Sequence, residues 1–323
     1  MNSDMSTLPP VRIGISSCLL GANVRFDGNH KRDAFLVEVF GRHVTWVPVC
    51  PEVEMGLGVP RETMRLERCG QEIRLVTPKT GADHTDRLRT FAAQRLTSLS
   101  QERLCGYILK KDSPSCGMER VRLYPSTGAP DRTGQGLFAA ALLQRFPHLP
   151  VEEEGRLQDP RLRENFVTRV FAYQRWEQMA EQKMTRAGLQ QFHAQHKLLL
   201  VAHSQVGTRR VGRILAHPEQ FPEEQAWAAA YLEGFTEVMR RTPTRRGHTN
   251  VLQHLAGYVS AHLDRGEREE LTEMIEQYRR GFVPLIVPVT LIRHYVRKFQ
   301  VPYVLDQVYL SPHPRELMLL NHV

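Results

Sequence analysis

Three cysteines, Cys18, Cys50 and Cys116, are the residues of this sequence whose type and setting point most directly to chemistry. Each follows a short β-branched run and sits among small or polar residues, in Ser16-Ser17-Cys18-Leu19-Leu20-Gly21, Val49-Cys50-Pro51-Glu52 and Ser113-Pro114-Ser115-Cys116-Gly117. If the runs are parallel strands that each cysteine ends, the three thiols open at one edge of a sheet, where α/β proteins place their active sites. Three thiolates converging there would hold an iron–sulfur cluster or a zinc ion with one coordination position left over, and an open metal position is the usual mark of metal chemistry. Spacing adds little, because intervals of 32 and 66 residues match no compact ferredoxin or zinc-knuckle run.

Other readings compete with the metal centre. Buried cysteine behaves as a small hydrophobe, and that reading suits Cys105, inside an apolar run, and Cys69, at a turn before Gly70. Cys116 beside Lys110 and Lys111 could be a catalytic thiolate of depressed pKa, which leaves Cys18 and Cys50 idle. A structural zinc would need a fourth protein ligand, from Cys69 or a histidine. Polar side chains crowd the same motifs: Glu52 lies two positions after Cys50, Asp27 and Lys31 follow Cys18, and Ser113 and Ser115 flank Cys116. A carboxylate and a hydroxyl beside an open metal site are what general acid–base work on a bound substrate requires. Asp27-Gly28 and Ser113-Pro114 also read as turns, an explanation that fits Glu52 poorly.

Positioning these residues requires a sheet. Apolar runs at 11–15, 44–49 and 104–109 alternate with helical stretches, a clear helix at 83–99 among them, as βαβ units do. A further short strand at 71–77 pairs with the segment before Cys69, and a closing helix follows Gly134-Gln135-Gly136. The expected class is α/β, a Rossmann-like parallel-sheet domain followed by an all-α helical domain. Asp159-Pro160 opens a helix, since proline at a helix start costs no hydrogen bond. With that linker helix over 155–185, the first domain is expected at 1–185 and the second at 186–323. Helices are expected at 189–204, 222–241, 249–263 and 267–282, a bundle.

The bulk numbers agree. A chain of 323 residues suits two domains better than one. No apolar run approaches the about 20 residues a bilayer span needs, and residues 1–7 carry no export signal, so a cytoplasmic location is expected. Five cysteines, an odd count, do not read as a disulfide framework. The formal charge of +8 favours a polyanionic partner. Residues 183–323 carry 18 Lys plus Arg against 13 Asp plus Glu, a balance of +5, and the rest 25 against 22, or +3. The excess clusters in Arg209, Arg210 and Arg213, in Arg240, Arg241, Arg245 and Arg246, and in Arg293, Arg297 and Lys298, candidates for RNA phosphates and unpaired bases. The acid-free stretch 240–248 is expected to be a basic loop. His193 and His196 lack a nearby carboxylate and read as packing or RNA contacts.

Taken together, Ser16-Ser17-Cys18-Leu19-Leu20-Gly21, Cys50-Pro51-Glu52-Val53, Gly56-Leu57 with Pro60-Arg61, and Lys110 through Ser113-Pro114-Ser115-Cys116-Gly117 closely resemble the thiouracil desulfidase (TudS) family over residues 10–155. The resemblance implies a 4Fe–4S cluster held by Cys18, Cys50 and Cys116, with the fourth iron free to take the sulfur of a thiocarbonyl. It also implies an acid and a serine near the cluster, Glu52 and Ser113; Asp27 is a third candidate, and the serine role falls equally well on Ser115. The second half, with Phe192-His193-Ala194-Gln195-His196-Lys197, resembles the YbgA-like helical domain. The fusion looks like the RudS-type proteins, which implies removal of sulfur from 4-thiouridine in tRNA as the activity and tRNA as the partner. Desulfidation of free thiouracil, and an iron–sulfur RNA-binding sensor without catalysis, are the alternatives.

Overall fold

A computed structural model of the chain describes residues 10–125, 127–182 and 184–323. It divides into two compact units, Met1–Gln158 and Asp159–Val323.

The first unit opens with β1 (Val11–Ser16), a largely buried Val-Arg-Ile-Gly-Ile-Ser run suited to the middle of a parallel sheet. Next come β2 (Val44–Val49), β3 (Arg65–Cys69), β4 (Glu72–Val76), β5 (Gly106–Leu109), β6 (Val121–Tyr124), β7 (Asp131–Gly134) and β8 (Val151–Glu153). Four of them form a sheet in the order β2-β1-β5-β8. Every pairing in it is parallel, with Ser16 opposite Val49 and Ile15 opposite Ile108. The α/β class and parallel sheet expected from the sequence are therefore present, with β1 and β2 where the apolar runs place them. The hairpin of β3 and β4 is also as expected, but it belongs to a second sheet, β4-β3-β6-β7, that mixes parallel and antiparallel pairs. Strand β7 carries no apolar run to announce it, because three of its four residues are exposed at the sheet edge.

Three helices complete the unit: α1 (Pro51–Glu54), α2 (Thr85–Leu99) and α3 (Leu137–Arg145). Helix α2 presents Leu88, Ala92, Leu96 and Leu99 inward at three- and four-residue spacing, and Leu88 joins Leu66, Leu75, Val121 and Leu123 in one core cluster.

The second unit consists of α4 (Pro160–Glu181), α5 (Arg186–His203), α6 (Gln205–Ala216), α7 (Glu224–Arg240), α8 (Arg245–Val259), α9 (Arg265–Arg280), α10 (Ile286–Phe299) and α11 (Pro302–Leu305), with short 3-10 turns between and after them. The Asp159 carboxylate accepts from the backbone N–H groups of Arg161 and Leu162 and starts α4, and Asp264 with Glu267 forms a capping box on α9. The unit boundary falls after Gln158, well before residue 185, because α4 gives Ala172 and Trp176 to the core of the helical unit. Trp176 stacks on Tyr231 at 5.9 Å and meets Phe192 edge-on at 5.6 Å. The basic loop expected over 240–248 is a short connection instead. Thr244 caps α8 by accepting from the Gly247 N–H, which draws Arg245 and Arg246 into the first helical turn. Among the described residues no helix is long and apolar enough to cross a membrane.

His193 and His196 serve packing. His193 Nδ1 lies 3.1 Å from the Tyr231 hydroxyl, and His196 stacks on Phe192 with its Nδ1 2.7 Å from the Phe192 carbonyl. Burial lowers His196 from 6.5 to about 3 and His203 to about 4. Both stay neutral when folded across a range in which the unfolded chain takes up protons, so stability is complete above pH 6.5 and falls as the pH drops toward 4, by about 1.4 kcal/mol per pH unit for each such group. Thermal melts of the full chain between pH 7.5 and 4.5 should show this decline, and His203→Gln should make it shallower; an unchanged slope would remove that histidine from the account.

Candidate active site

At the end of β1 the chain turns through Ser17–Leu20, a 3-10 turn closed by Gly21 at φ +100°, a left-handed conformation that favours glycine. The Cys18 carbonyl there accepts from the backbone N–H of Gly21 at 3.3 Å and of Lys31 at 2.9 Å. Cys50 follows β2 directly and precedes α1, where Pro51 occupies the first turn and the Cys50 N–H donates to the Glu54 carboxylate at 2.8 Å. Cys116 does not end a strand as expected; it lies seven residues beyond β5, in a loop shaped by serine side chains. The Ser113 hydroxyl oxygen accepts from the N–H groups of Ser115 at 3.3 Å and Cys116 at 3.1 Å. Gly136 packs against this loop so closely that a Cβ would stand 2.5 Å from the Ser115 carbonyl oxygen.

All three cysteines are buried and free, and together they line one cavity of about 350 Å³. Glu52, Ser113, Arg61 and Lys110 share its wall. Cys69 is exposed at the end of β3 and Cys105 is buried before β5, and neither lines the cavity.

Electrostatics decides what the thiols can do. Burial, with Glu52 adding to it, raises Cys50 to about 12 and Cys116 well above its usual value; burial likewise raises Cys18 to about 11 against the pull of Lys110. This corrects the picture of Cys116 as a lysine-activated nucleophile: Lys110 Nζ is engaged by Glu154 at 2.6 Å, and the Lys111 N–H donates to the same carboxylate at 2.8 Å. Thiols raised in this way are weak nucleophiles on their own. Three of them facing one space are a donor set for a group positive enough to displace their protons.

A hydrogen-bonded chain runs beside the thiols. The Ser115 hydroxyl donates to Glu52 Oε1, and Ser113 Oγ lies 2.9 Å from Ser115 Oγ. Because Ser115 has one hydroxyl proton and gives it to the carboxylate, Ser113 must be the donor to Ser115. The two serines are thus consecutive members of one chain, with Ser113 at the cavity and Ser115 buried between it and Glu52. Glu52 Oε2 lies 3.5 Å from Cys50 Sγ and 4.0 Å from Arg61 Nη2. Arg61 is held by the Val24 carbonyl at 2.9 Å and has a buried Nε without a hydrogen-bond partner. Sequence reasoning places Arg61 in a motif but gives it no role, and gives Lys110 only that of activating Cys116; their charge beside Glu52 and the thiols is the available signal. Asp27 is not brought in. It is exposed, closes a turn onto the Asn29 N–H at 3.1 Å and the Arg25 guanidinium at 3.4 Å, and does not line the cavity.

The basic residues of the helical unit separate into kinds. Arg209, Arg213, Arg246 and Arg297 are exposed. Arg210 pairs with Glu237, and Lys298 with Glu267 at 2.7 Å. Arg240 and Arg241 are exposed at the end of α7, Arg245 packs over Tyr278 and donates to its carbonyl at 2.9 Å, and Arg293 is buried rather than on the surface.

Residues 13–154 match the 2-thiouracil desulfurase family, and residues 197–314 match a family described as a protein of unknown function, DUF1722. The uncharacterized protein YbgA of Escherichia coli is 31% identical over 159 residues, which cover 49% of this chain and 94% of that protein. The uncharacterized protein YbbK of Bacillus subtilis is 31% identical over 136 residues, 40% of this chain and 88% of that one. A solved structure of a [4Fe-4S]-dependent thiouracil desulfidase, TudS, is 32% identical, covering 46% of this chain and 93% of its own at a TM-score of 0.39. The matched span of the first family contains all three cavity cysteines together with Glu52, Ser113 and Ser115. The chain carries a 2-thiouracil desulfurase domain over residues 13–154, followed by a YbgA-like DUF1722 domain over residues 197–314.

Proposed function

We propose that the protein is a desulfidase that converts 4-thiouridine in tRNA to uridine, using a [4Fe–4S] cluster held by Cys18, Cys50 and Cys116. The observation that carries the chemistry is the placement of three buried, free thiols around the same cavity as a carboxylate with its own hydroxyl chain. The donor set fits the group: three sulfur ligands leave one iron open, and raised thiol pKa values are no obstacle to ligands that a metal deprotonates. When bound, the cluster supplies Lewis acidity toward the thiocarbonyl sulfur and a place for that sulfur to go.

The chain's own residues manage water and protons. The net reaction adds water to the thiocarbonyl carbon and releases hydrogen sulfide, with no electrons gained or lost. Glu52 is the base that takes a proton from that water, and Ser115 holds the carboxylate in place by occupying Oε1. Ser113, at the cavity wall, donates to Ser115 and so steadies the hydroxyl that holds Glu52. Arg61 lies 4.0 Å from the Glu52 carboxylate, and Lys110, fixed by Glu154, keeps positive charge at the wall where negative charge develops on the substrate.

An RNA substrate is favoured by the helical unit. Arg209 and Arg213 stand one turn apart on α6, and Arg246 on α8; all three are exposed and form no ion pair with a described residue. Unpaired, exposed guanidiniums of this kind neutralise phosphates and stack on single-stranded bases.

With the cluster reconstituted anaerobically, the full-length protein should convert 4-thiouridine-bearing tRNA to its uridine form, read by nucleoside chromatography. Glu52→Gln should lower turnover by roughly 100-fold or more while iron content stays at the wild-type level. Cys50→Ala should lose both. Turnover of free thiouracil but not of tRNA would sink the RNA substrate, and turnover of neither would sink the desulfidase. Double replacement of Arg209 and Arg213 by Ala should weaken tRNA binding and lower the slope of log affinity against log salt by about 2, one for each phosphate that is no longer neutralised. An unchanged slope would take α6 out of the RNA interface.

A further inference from the structure

Arg293 is on α10 with only 8% of its surface exposed, and both its Nε and its Nη1 lack a hydrogen-bond partner. The charged side chains acting on it, Arg315 and Arg297, are cations like itself, and burial lowers it only to about 10, so it is charged at neutral pH. A buried cation with orphaned donors and no counter-ion is among the costliest arrangements a fold can hold. Arg175 in the same unit shows the ordinary solution, giving its donors to the carbonyls of Pro312 at 3.1 Å and Ser311 at 3.4 Å.

Those carbonyls belong to the rim of a cavity of about 250 Å³ into which Arg293 is set. Arg315, His313, Ser311 and Asn321 also line it, and Leu310 and Leu319 belong to the apolar part of its wall. Arg175 fixes the rim. His313 is oriented by Nδ1 donating to the Pro314 carbonyl at 3.2 Å, with its Nε2 3.8 Å from Glu164. Among the described residues no carboxylate lines this pocket.

We propose that this pocket is a phosphate-binding site, in which Arg293 and Arg315 supply the positive charge and Ser311 a neutral donor. A carboxylate offers about four lone-pair sites in one plane, whereas a phosphoryl group, with three or four oxygens arranged around phosphorus, accepts from two guanidiniums and a hydroxyl that approach from different directions. The phosphoryl group comes from an RNA terminus or from free phosphate, and the site stands whether or not tRNA is the substrate of the first unit.

Thermal melting of the full chain in inorganic phosphate, with ionic strength held constant by chloride, tests this. A ligand that binds the folded state alone raises the melting temperature along a saturation curve. Wild type should show that curve, Arg293→Met should melt higher than wild type without phosphate and show no rise with it, and Arg315→Ala should need roughly tenfold more phosphate for half the effect. If Arg293→Met does not fold, Arg315→Ala carries the test, since Arg315 is exposed and outside the core. A second arm uses one short RNA with either a 5′-phosphate or a 5′-hydroxyl. Stabilisation by the phosphorylated RNA alone, competed by inorganic phosphate, supports the site with an RNA terminus as its source. Stabilisation by inorganic phosphate and by neither RNA supports it with free phosphate as the source. Absence of a saturable rise in wild type, or the same rise in all three proteins, overturns the proposal.

Discussion

The site depends first on the bond between the Ser115 hydroxyl and Glu52, which joins residues 63 positions apart. Glu52 stands in the turn after β2 and Ser115 in the loop after β5, and β1 lies between these strands in the sheet. A second tie, from the Lys110 N–H to the Ser16 hydroxyl at 3.0 Å, fixes the start of the same loop to the end of β1. The three segments that carry the cysteines are therefore held in one frame by two side-chain bonds as well as by the sheet. Parallel strands bring chain ends to one edge; side-chain bonds bring particular atoms to one cavity.

That frame explains how a carboxylate can sit among buried thiols. Each thiol that loses its proton beside Glu52 sets one negative charge against another, and this is part of what raises Cys50 and Cys116. The repulsion is relieved when something positive occupies the centre. Arg293 in the helical unit presents the inverse case, a positive group in low dielectric whose charged neighbours are of the same sign. In both units the groups without a complement line a cavity rather than the packed core. A fold can replace buried charges with apolar side chains of similar volume at little or no cost in stability, so their retention in cavities marks what those cavities are for.

How much of this the sequence discloses follows from which interactions are local. β1 and β2 are legible because a buried parallel strand needs a continuous β-branched run, and Val11 to Ser16 and Val44 to Val49 supply it. The three cysteines and Glu52 are legible because each stands just beyond such a run or in a distinctive loop. Helix α6 is easily overlooked because its apolar stripe is short, Val211 with the half-buried Ile214 and Leu215, among two glycines and three arginines. The role of Ser115 is hidden for another reason, since it rests on a partner 63 residues away. Asp27 resembles a site residue only through its nearness in sequence to Cys18, and a local Asx turn claims its carboxylate. The burial of Arg293 is illegible because a basic triplet with Arg297 and Lys298 looks the same whether its members face water or a cavity; in the helix, Arg293 falls on the inward face with Val289, Ile292 and Val296.

The direction of the serine chain carries the last step. With the Ser115 proton committed to Glu52 and the Ser113 oxygen already accepting two backbone N–H groups, the proton of Ser113 has one neighbour in the chain to go to, the oxygen of Ser115. While Glu52 is ionised both hydroxyl protons thus point inward and hold the carboxylate that lines the cavity. Protonation of Glu52 also removes the negative charge that opposes ionisation of Cys50 and Cys116, so uptake of a proton by the base and the charge held by the ligand set rise and fall together. Ser113 and Ser115 are then consecutive rather than alternative: the first lines the cavity, and the second joins it to the Glu52 carboxylate.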